Sequence, residues 1–422
     1  MELSLENIGK ISGASVEING ITVIAGENNT GKSTVGRTLF AMFNSFYDVQ
    51  RQIEFARTDS IEGLLDRLYY ENSSQPFRLI DTSEMAKTIV SEIGGHETDT
   101  TVIKQEIISF FESYKVGITQ KIDQDALDKM VMRIKEVLEV PEKEVLRSLL
   151  EKRLGAEFND QFSNIFQKNY GKITLKIKDK CFSVLIDDNE VHEIENTDNI
   201  SLHTEIVYID DPFVLDELGL FRTRSRYTTH REHLRNKLLL SKKAENLVDE
   251  IIAKEKLDSI YGKISSVCGG DIIRKRRTEI GYRQQNSDKV LNVRNLSTGL
   301  KTFVILKMLL TNGSIETNGT IVLDEPEIHL HPEWQLLFAE LIVLLQKEFG
   351  LHILLNTHSP YFLRAIQVYS AKYEIADSCK YYLSEVKGEQ AYITDVTECI
   401  DKIYSKLSRP LQILEDERWQ DD

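Results

Sequence analysis

The chain has only four cysteines, Cys181, Cys268, Cys379 and Cys399, scattered and without a CxxC pair. That excludes a disulfide framework and a cysteine-held zinc site, and it fits a reducing compartment, so the expected location is cytoplasmic. No run approaches the roughly 20 apolar residues of a membrane helix. The opening MELSLENIGK lacks the apolar stretch of a signal peptide and starts as an amphipathic strand. No membrane association is therefore expected. Positive charge is also short, with 52 basic against 67 acidic residues and a formal net charge of −15. A general coat for polyanions is excluded, and only local basic faces remain open. Internal repeats and low-complexity tracts are missing. What is present is ordinary globular material: 422 residues, 41% of them apolar, enough for about two to three domains with a packed core.

Along the chain, Val16–Ile18 and Ile21–Ala25 read as strands around Asn19-Gly20, a pair that predicts a hairpin. A glycine loop follows at Gly26. Val35, Leu39 and Phe43, spaced by four, then predict a helix. Between 46 and 170 glycine is sparse and charge is dense. Leu127, Met130, Ile134 and Val137 share one helical face, and Pro141 is placed to open another helix carrying Val145, Leu149 and Leu150. This segment reads as a helical insertion without a heptad repeat. Strand patterns return at Ile173–Ile177, Phe182–Ile186 and Glu205–Ile209. A basic, mostly helical stretch runs from Arg222 to about Tyr261, and a hairpin is expected around Arg274–Arg294. Strand Thr320–Leu323, a helix from Pro332, strand His352–Asn356 and a further helix then alternate. The expected fold class is α/β, a mixed sheet flanked by helices with a mainly helical insertion. The division is 1–45, 46–170 and 171–422.

Four motifs carry chemistry. GENNTGKS at 26–33 fits G-x-x-x-x-G-K-[ST] and sits between a strand and a helix, the context this pattern requires. Gly26, Asn28, Asn29, Thr30, Gly31, Lys32 and Ser33, with Thr34 after them, are the candidate phosphate-binding residues. The glycines let backbone N–H groups close around phosphates, and the helix N-terminus adds its positive end. Lys32 is expected on the terminal phosphates and Ser33 on Mg²⁺. Next, an apolar strand ends in Asp324-Glu325. Asp324 is the candidate Mg²⁺ ligand, and Glu325 the residue that orients or activates the attacking water. Third, Asn295–Lys301 (NLSTGLK) opens an apolar helix. Ser297 either caps that helix or, with Gly299, aims its N-terminus at a γ-phosphate. Last, His358 follows a strand and is either a turn residue or a sensor of the γ-phosphate.

The order of these motifs resembles the ABC-type ATPase superfamily, which includes the SMC and RecF proteins. The run LDEPEIHLHP at 323–332 with THSP at 357–360 is similar to the OLD-type group: the ATPase part of OLD-family nucleases and the ATPase subunits of the Septu and PARIS anti-phage systems. The resemblance covers about 1–44 and 171–410. It implies an ABC-type head that binds and hydrolyses ATP with Mg²⁺. In that scheme Lys32 and Ser33 match Walker A, Asp324 and Glu325 match Walker B and its catalytic glutamate, Ser297 and Gly299 match the signature, and His358 matches the switch histidine. Glu327–His331 takes the place of the D-loop. In such proteins each signature faces the other subunit's P-loop, so a homodimer or higher homo-oligomer is implied. The signature departs from LSGGQ at Thr298 and Leu300, which implies slow turnover. The resemblance also implies a sensor or scaffold in a bacterial defence complex that controls a separate effector such as a nuclease. The insertion departs most from the shared head and is the expected place for binding a trigger or partner.

Two further readings compete. A RecF- or SMC-like DNA maintenance ATPase would use the basic stretches Arg222, Arg224, Arg226, Arg231, Arg235, Lys237 and Arg274–Arg277 with Arg283. Against it, these residues also suit a solvated face or pairing with acidic neighbours. A transporter ATP-binding subunit is disfavoured by the altered signature, EIHLHPEW and the insertion. His329-x-His331 lacks a third metal ligand, and His230 with His233 lacks H-E-x-x-H. Asp123-x-Asp125 precedes most of the head and reads as a helix start with Asp128. Trp334 and Trp419 read as packing residues.

Overall fold

The computed structural model describes residues 1–72, 81–93, 99–113, 124–167, 169–195, 202–218, 229–240, 260–276, 279–284 and 288–418. Asp123, Trp419 and Arg222–Arg226 lie outside them. The chain divides into two compact units, 1–44 with 150–198 and 203–422, and 45–149 with 199–202.

Fourteen strands are described: β1 (Glu2–Ile8), β2 (Ile11–Glu17), β3 (Ile21–Gly26), β4 (Gly171–Ile177), β5 (Lys180–Asp187), β6 (Glu190–Glu195), β7 (Ile206–Ile209), β8 (Asp271–Arg276), β9 (Glu279–Arg283), β10 (Val290–Asn292), β11 (Thr320–Asp324), β12 (His352–Thr357), β13 (Cys379–Lys387) and β14 (Gln390–Asp395). Among the described residues, eleven of them form one sheet in the order β6-β5-β4-β1-β2-β14-β13-β3-β12-β11-β7. The run β13-β3-β12-β11-β7 is parallel throughout. Its strands β3, β7 and β11 are buried along their whole length. Continuous apolar strands of this kind need cover on both faces, and parallel sheets supply it. Helices Thr298–Thr311, Pro332–Phe349 and Pro360–Lys372 contribute Phe303, Leu309, Ile342, Leu363 and Ile366 to the same core as Val23, Leu323 and Leu355. Trp334 is a packing residue there, edge-on to Phe303 at 5.7 Å.

The expected hairpin at Asn19-Gly20 does not form. β14 and β13 stand between β2 and β3. The burial of the two strands explains the separation. β2 alternates towards a half-exposed surface, whereas all six residues of β3 are buried. They therefore belong to different parts of the sheet. Gly20 turns the chain at φ 61°, and its carbonyl accepts from Ile353 N of the neighbouring β12. The hairpin expected around 274–294 forms as part of a three-stranded antiparallel sheet, β10-β9-β8.

The second unit is helical, with Val49–Asn72, Thr82–Thr88, Thr100–Ser113 and Gln124–Glu139 around Ile61, Leu65, Ile103, Ile107, Phe111 and Ile134. The predicted face of Leu127, Met130 and Ile134 is buried, with Val137 packed against it. Asp125 lies in the first turn of its helix, while Asp128 pairs with Lys104 across to the preceding one. Pro141 precedes helix Glu142–Phe158, and its carbonyl accepts from Glu144 N and Val145 N. Residues 150–170, placed with the insertion on the sequence pattern, group with the sheet instead. The reason is local pairing: Gly9 N donates to Phe162 O, and Ile8 bridges Ser163. Among the described residues no helix is long and apolar enough to cross a membrane.

Candidate functional site

Parallel strands deliver their C-terminal ends to one edge, the usual place for a ligand in an open α/β sheet. Ala25 of β3 pairs with Thr357 of β12, Asn356 of β12 with Asp324 of β11, and Leu323 of β11 with Ile209 of β7. Gly26, the last residue of β3, and His358, Glu325 and Asp210, which follow β12, β11 and β7, therefore lie at the same edge.

The loop after β3 turns through left-handed residues at Asn29, φ 60°, and Gly31, φ 89°. A Cβ at Gly31 would also come within 2.8 Å of Ile11 Cγ1, so this position needs glycine. Successive N–H groups of such a turn form an anion-binding concavity. Asn28 and Asn29 are exposed at its tip. Thr30 is buried, its hydroxyl donating to Glu27 O at 2.8 Å and its carbonyl accepting from Ser384 Oγ at 2.6 Å. Lys32 opens helix Lys32–Phe46, with Ser33 and Thr34 half-buried in its first turn. The buried Lys32 ammonium donates to Gly26 O at 3.1 Å and Glu27 O at 2.7 Å, and lies 3.4 Å from Glu325 Oε1.

Glu325 sits at φ 50°, unusual for a residue with a side chain, a conformation that costs about 1–3 kcal/mol and clusters at functional sites. Its N–H donates to Asn356 O at 2.9 Å. Its Oε1 is 3.5 Å from His358 Nδ1 as well as close to Lys32. The His358 imidazole beside it holds the Glu325 carboxyl below its usual range, burial works against it, and Lys32 adds to the lowering. Reciprocally, Glu325 raises His358. The pair is thus biased towards carboxylate and imidazolium, the state of a proton acceptor held beside a charged donor.

Asp324 differs. Its oxygens accept from neutral groups, Tyr208 hydroxyl at 2.7 Å and Asn356 amide at 2.9 Å. Among the described residues no cationic side chain is ion-paired with it. An uncompensated carboxylate fits a hard divalent cation bound through oxygen, and Ser33, in the first turn of helix Lys32–Phe46, offers a hydroxyl. These two residues would hold Mg²⁺, which when bound supplies charge neutralisation on the phosphates.

Ser297 takes the N-cap position of helix Thr298–Thr311, with φ −61° and ψ 150°, but its side chain makes no capping bond. The capping explanation of this residue therefore falls. Ser297, Thr298 and Gly299 line a pocket of about 480 Å³ with His329, His331 and Trp334. Two residues after Gly299, Lys301 is buried and bonds Asp216 at 2.7 and 2.9 Å. His329 packs edge-on against Phe213 at 5.8 Å, and His331 takes the N-cap position of helix Pro332–Phe349 without a side-chain capping bond.

Sequence reasoning missed several partners. Glu327 is buried and accepts from Thr357 hydroxyl and from His358 N at 3.2 Å, which fixes the turn carrying His358. Burial pushes its carboxyl up. Asn356, a buried polar residue inside an apolar strand, was the legible signal; Tyr208 gave none. Of the basic residues, Arg231 bonds Asp211 and Glu217, Lys237 pairs with Glu205, Arg283 bonds Asp271 and Arg235 is buried. Pairing with acidic neighbours, not a free phosphate-binding row, describes Arg231, Lys237 and Arg283. The side chains of Arg274–Arg277 lie outside the described ones.

A P-loop ahead of its helix, with Asp-Glu ending a strand of the same parallel run, defines a P-loop ATPase head. The sequence model of the AAA_15 family, AAA ATPase domain, matches residues 1–363, and the chain belongs to that family. A curated relative, the "Retron Ec83 probable ATPase" of Escherichia coli, is 25% identical over 222 residues, 49% of this chain and 40% of that protein. The matched stretch thus spans less than half the length of that relative. Among solved structures, the SMC head domain from Thermotoga maritima is 10% identical, with TM-score 0.39 and coverage of 94% of this chain and 98% of that one. An SMC head with an extended coiled coil bound to the C-terminal domain of ScpA, derived from Pyrococcus furiosus, is 12% identical, with TM-score 0.39 and coverage of 99% and 98%.

Proposed function

We propose that two copies of this chain close around ATP and Mg²⁺, hydrolyse it slowly, and use the assembled state to control a separate effector. The observation that carries this reading is a separation within the chain. Lys32, Glu325 and His358 meet at one strand edge, whereas Ser297 and Gly299 line a pocket that includes none of residues 26–34. A second copy presenting its Ser297–Gly299 helix N-terminus would add the missing donors opposite the γ-phosphate. Lys32 and the loop N–H groups bind the phosphates. Glu325 accepts a proton from the attacking water, and His358 holds that carboxylate in place. Catalysis of this kind is mostly positioning and charge stabilisation.

The resemblance to OLD-, Septu- and PARIS-type ATPases, together with the similarity to a retron ATPase, supports a bacterial defence complex whose effector, such as a nuclease, is a separate chain. The test is self-association: Glu325→Gln protein should sediment as a larger species with ATP and Mg²⁺ than without. An unchanged sedimentation coefficient would count against the clamp.

A further inference from the structure

A buried polar stack lies beside Asp324 that phosphate binding does not use. Tyr208, on β7, is fully buried and gives its hydroxyl proton to Asp324 Oδ2 at 2.7 Å. Asn356, on β12, gives an amide proton to Asp324 Oδ1 at 2.9 Å. β11 runs between these two strands, so the carboxylate is held from both sides. Each carboxylate oxygen has two lone pairs, and each receives one of these neutral donors. The orientation of the group is therefore fixed without neutralising its charge.

The Tyr208 ring is itself held. It lies against the His230 imidazole, centroids 4.4 Å apart and planes 39° apart, and edge-on to Phe40 at 6.2 Å. Gly36, in the helix that follows the P-loop, leaves room for it: a Cβ there would come within 2.9 Å of Tyr208 Cε2. His230 is pinned at three points. Its Nδ1 lies 2.6 Å from Glu157 Oε2, its Nε2 lies 3.0 Å from Asp210 Oδ2, and its backbone N–H donates to Glu157 Oε1 at 2.6 Å. Burial alone would lower its pKa, but the two carboxylates raise it to about 9. Buried charged groups are costly to keep, and apolar side chains of the same size would often serve stability as well or better. Their presence beneath the tyrosine that touches Asp324 points to a role in the site.

We infer that Tyr208 is a positioning residue for Asp324, and that Glu157, His230 and Asp210 form the platform that holds its ring. The inference rests on the ATP and Mg²⁺ reading above. Partners that orient a metal-binding carboxylate typically matter about 10–100-fold in metal affinity or activity.

The experiment uses the full chain with Glu325→Gln, so that nucleotide persists. Affinity for a fluorescent ATP analogue is measured in Mg²⁺ and in EDTA. Adding Tyr208→Phe should cut the Mg²⁺-dependent gain in affinity about tenfold and leave the EDTA value unchanged. Adding His230→Gln should also cut the gain, and the combination with Tyr208→Phe should be no worse than Tyr208→Phe alone, because both act through one hydroxyl. If His230→Gln does not fold, Asp210→Asn takes its place. An unchanged Mg²⁺ gain in Tyr208→Phe overturns the inference, as does an equal loss in Mg²⁺ and EDTA, which marks general damage. Additive losses in the combined variant overturn the platform. A parent protein that binds the analogue in neither condition overturns the ATP reading and this inference with it.

Discussion

Glu325→Gln is expected to lower ATP turnover by about 10²–10³-fold, within the range a positioned general base contributes, while ATP still binds. Glutamine keeps the shape of the side chain but cannot take a proton. Glu325 is suited to that task because the neighbouring His358 imidazole and the Lys32 ammonium both favour its carboxylate, against the opposing effect of burial. The left-handed backbone at this residue, φ 50°, aims the group in a way an ordinary strand end would not. Steady-state phosphate release, run beside a nucleotide-binding titration, is the check. Turnover within a few-fold of the natural protein would remove Glu325 from the chemistry.

Lys32→Ala is expected to weaken ATP binding by about 100-fold or more, since a charge-assisted hydrogen bond contributes about 1.5–3 kcal/mol and this ammonium has several to give. It is gathered by Gly26 O, Glu27 O and Glu325 at the point where loop and strand meet. Alanine removes the donor and also leaves Glu325 without its lysine neighbour. Equilibrium titration of nucleotide against both proteins measures the loss. Near-normal affinity in Lys32→Ala would show that the loop at 26–33 is not a phosphate site.

How much of this was legible depended on the range of the interaction. GENNTGKS announced itself because a phosphate loop is built from contiguous residues, and the left-handed turns at Asn29 and Gly31 follow from that local sequence. The apolar strand ending in Asp324-Glu325 was equally readable. Pairing between distant segments was not. Asn19-Gly20 predicted a hairpin from local turn chemistry, and β13 and β14, more than 350 residues further on, came between its two strands. Tyr208 looked like one more apolar strand residue, because its hydroxyl acquires a meaning only when β7 is laid beside β11. His230 was set aside for lack of a metal-binding pattern, yet its partners Glu157 and Asp210 lie 73 and 20 residues away in sequence. Charge misled in the same way: Arg231 and Lys237 read as a basic stretch until folding paired them with Asp211, Glu217 and Glu205.

The claim that each copy completes the other's pocket is tested most directly by mixing two inactive proteins, Lys32→Ala and Ser297→Arg. In a mixed pair, one site has both lesions and the other has an intact Lys32 from one copy and an intact Ser297 from its partner. ATP hydrolysis should return on mixing although each protein alone is inactive. A mixture that stays as inactive as its components would contradict the account.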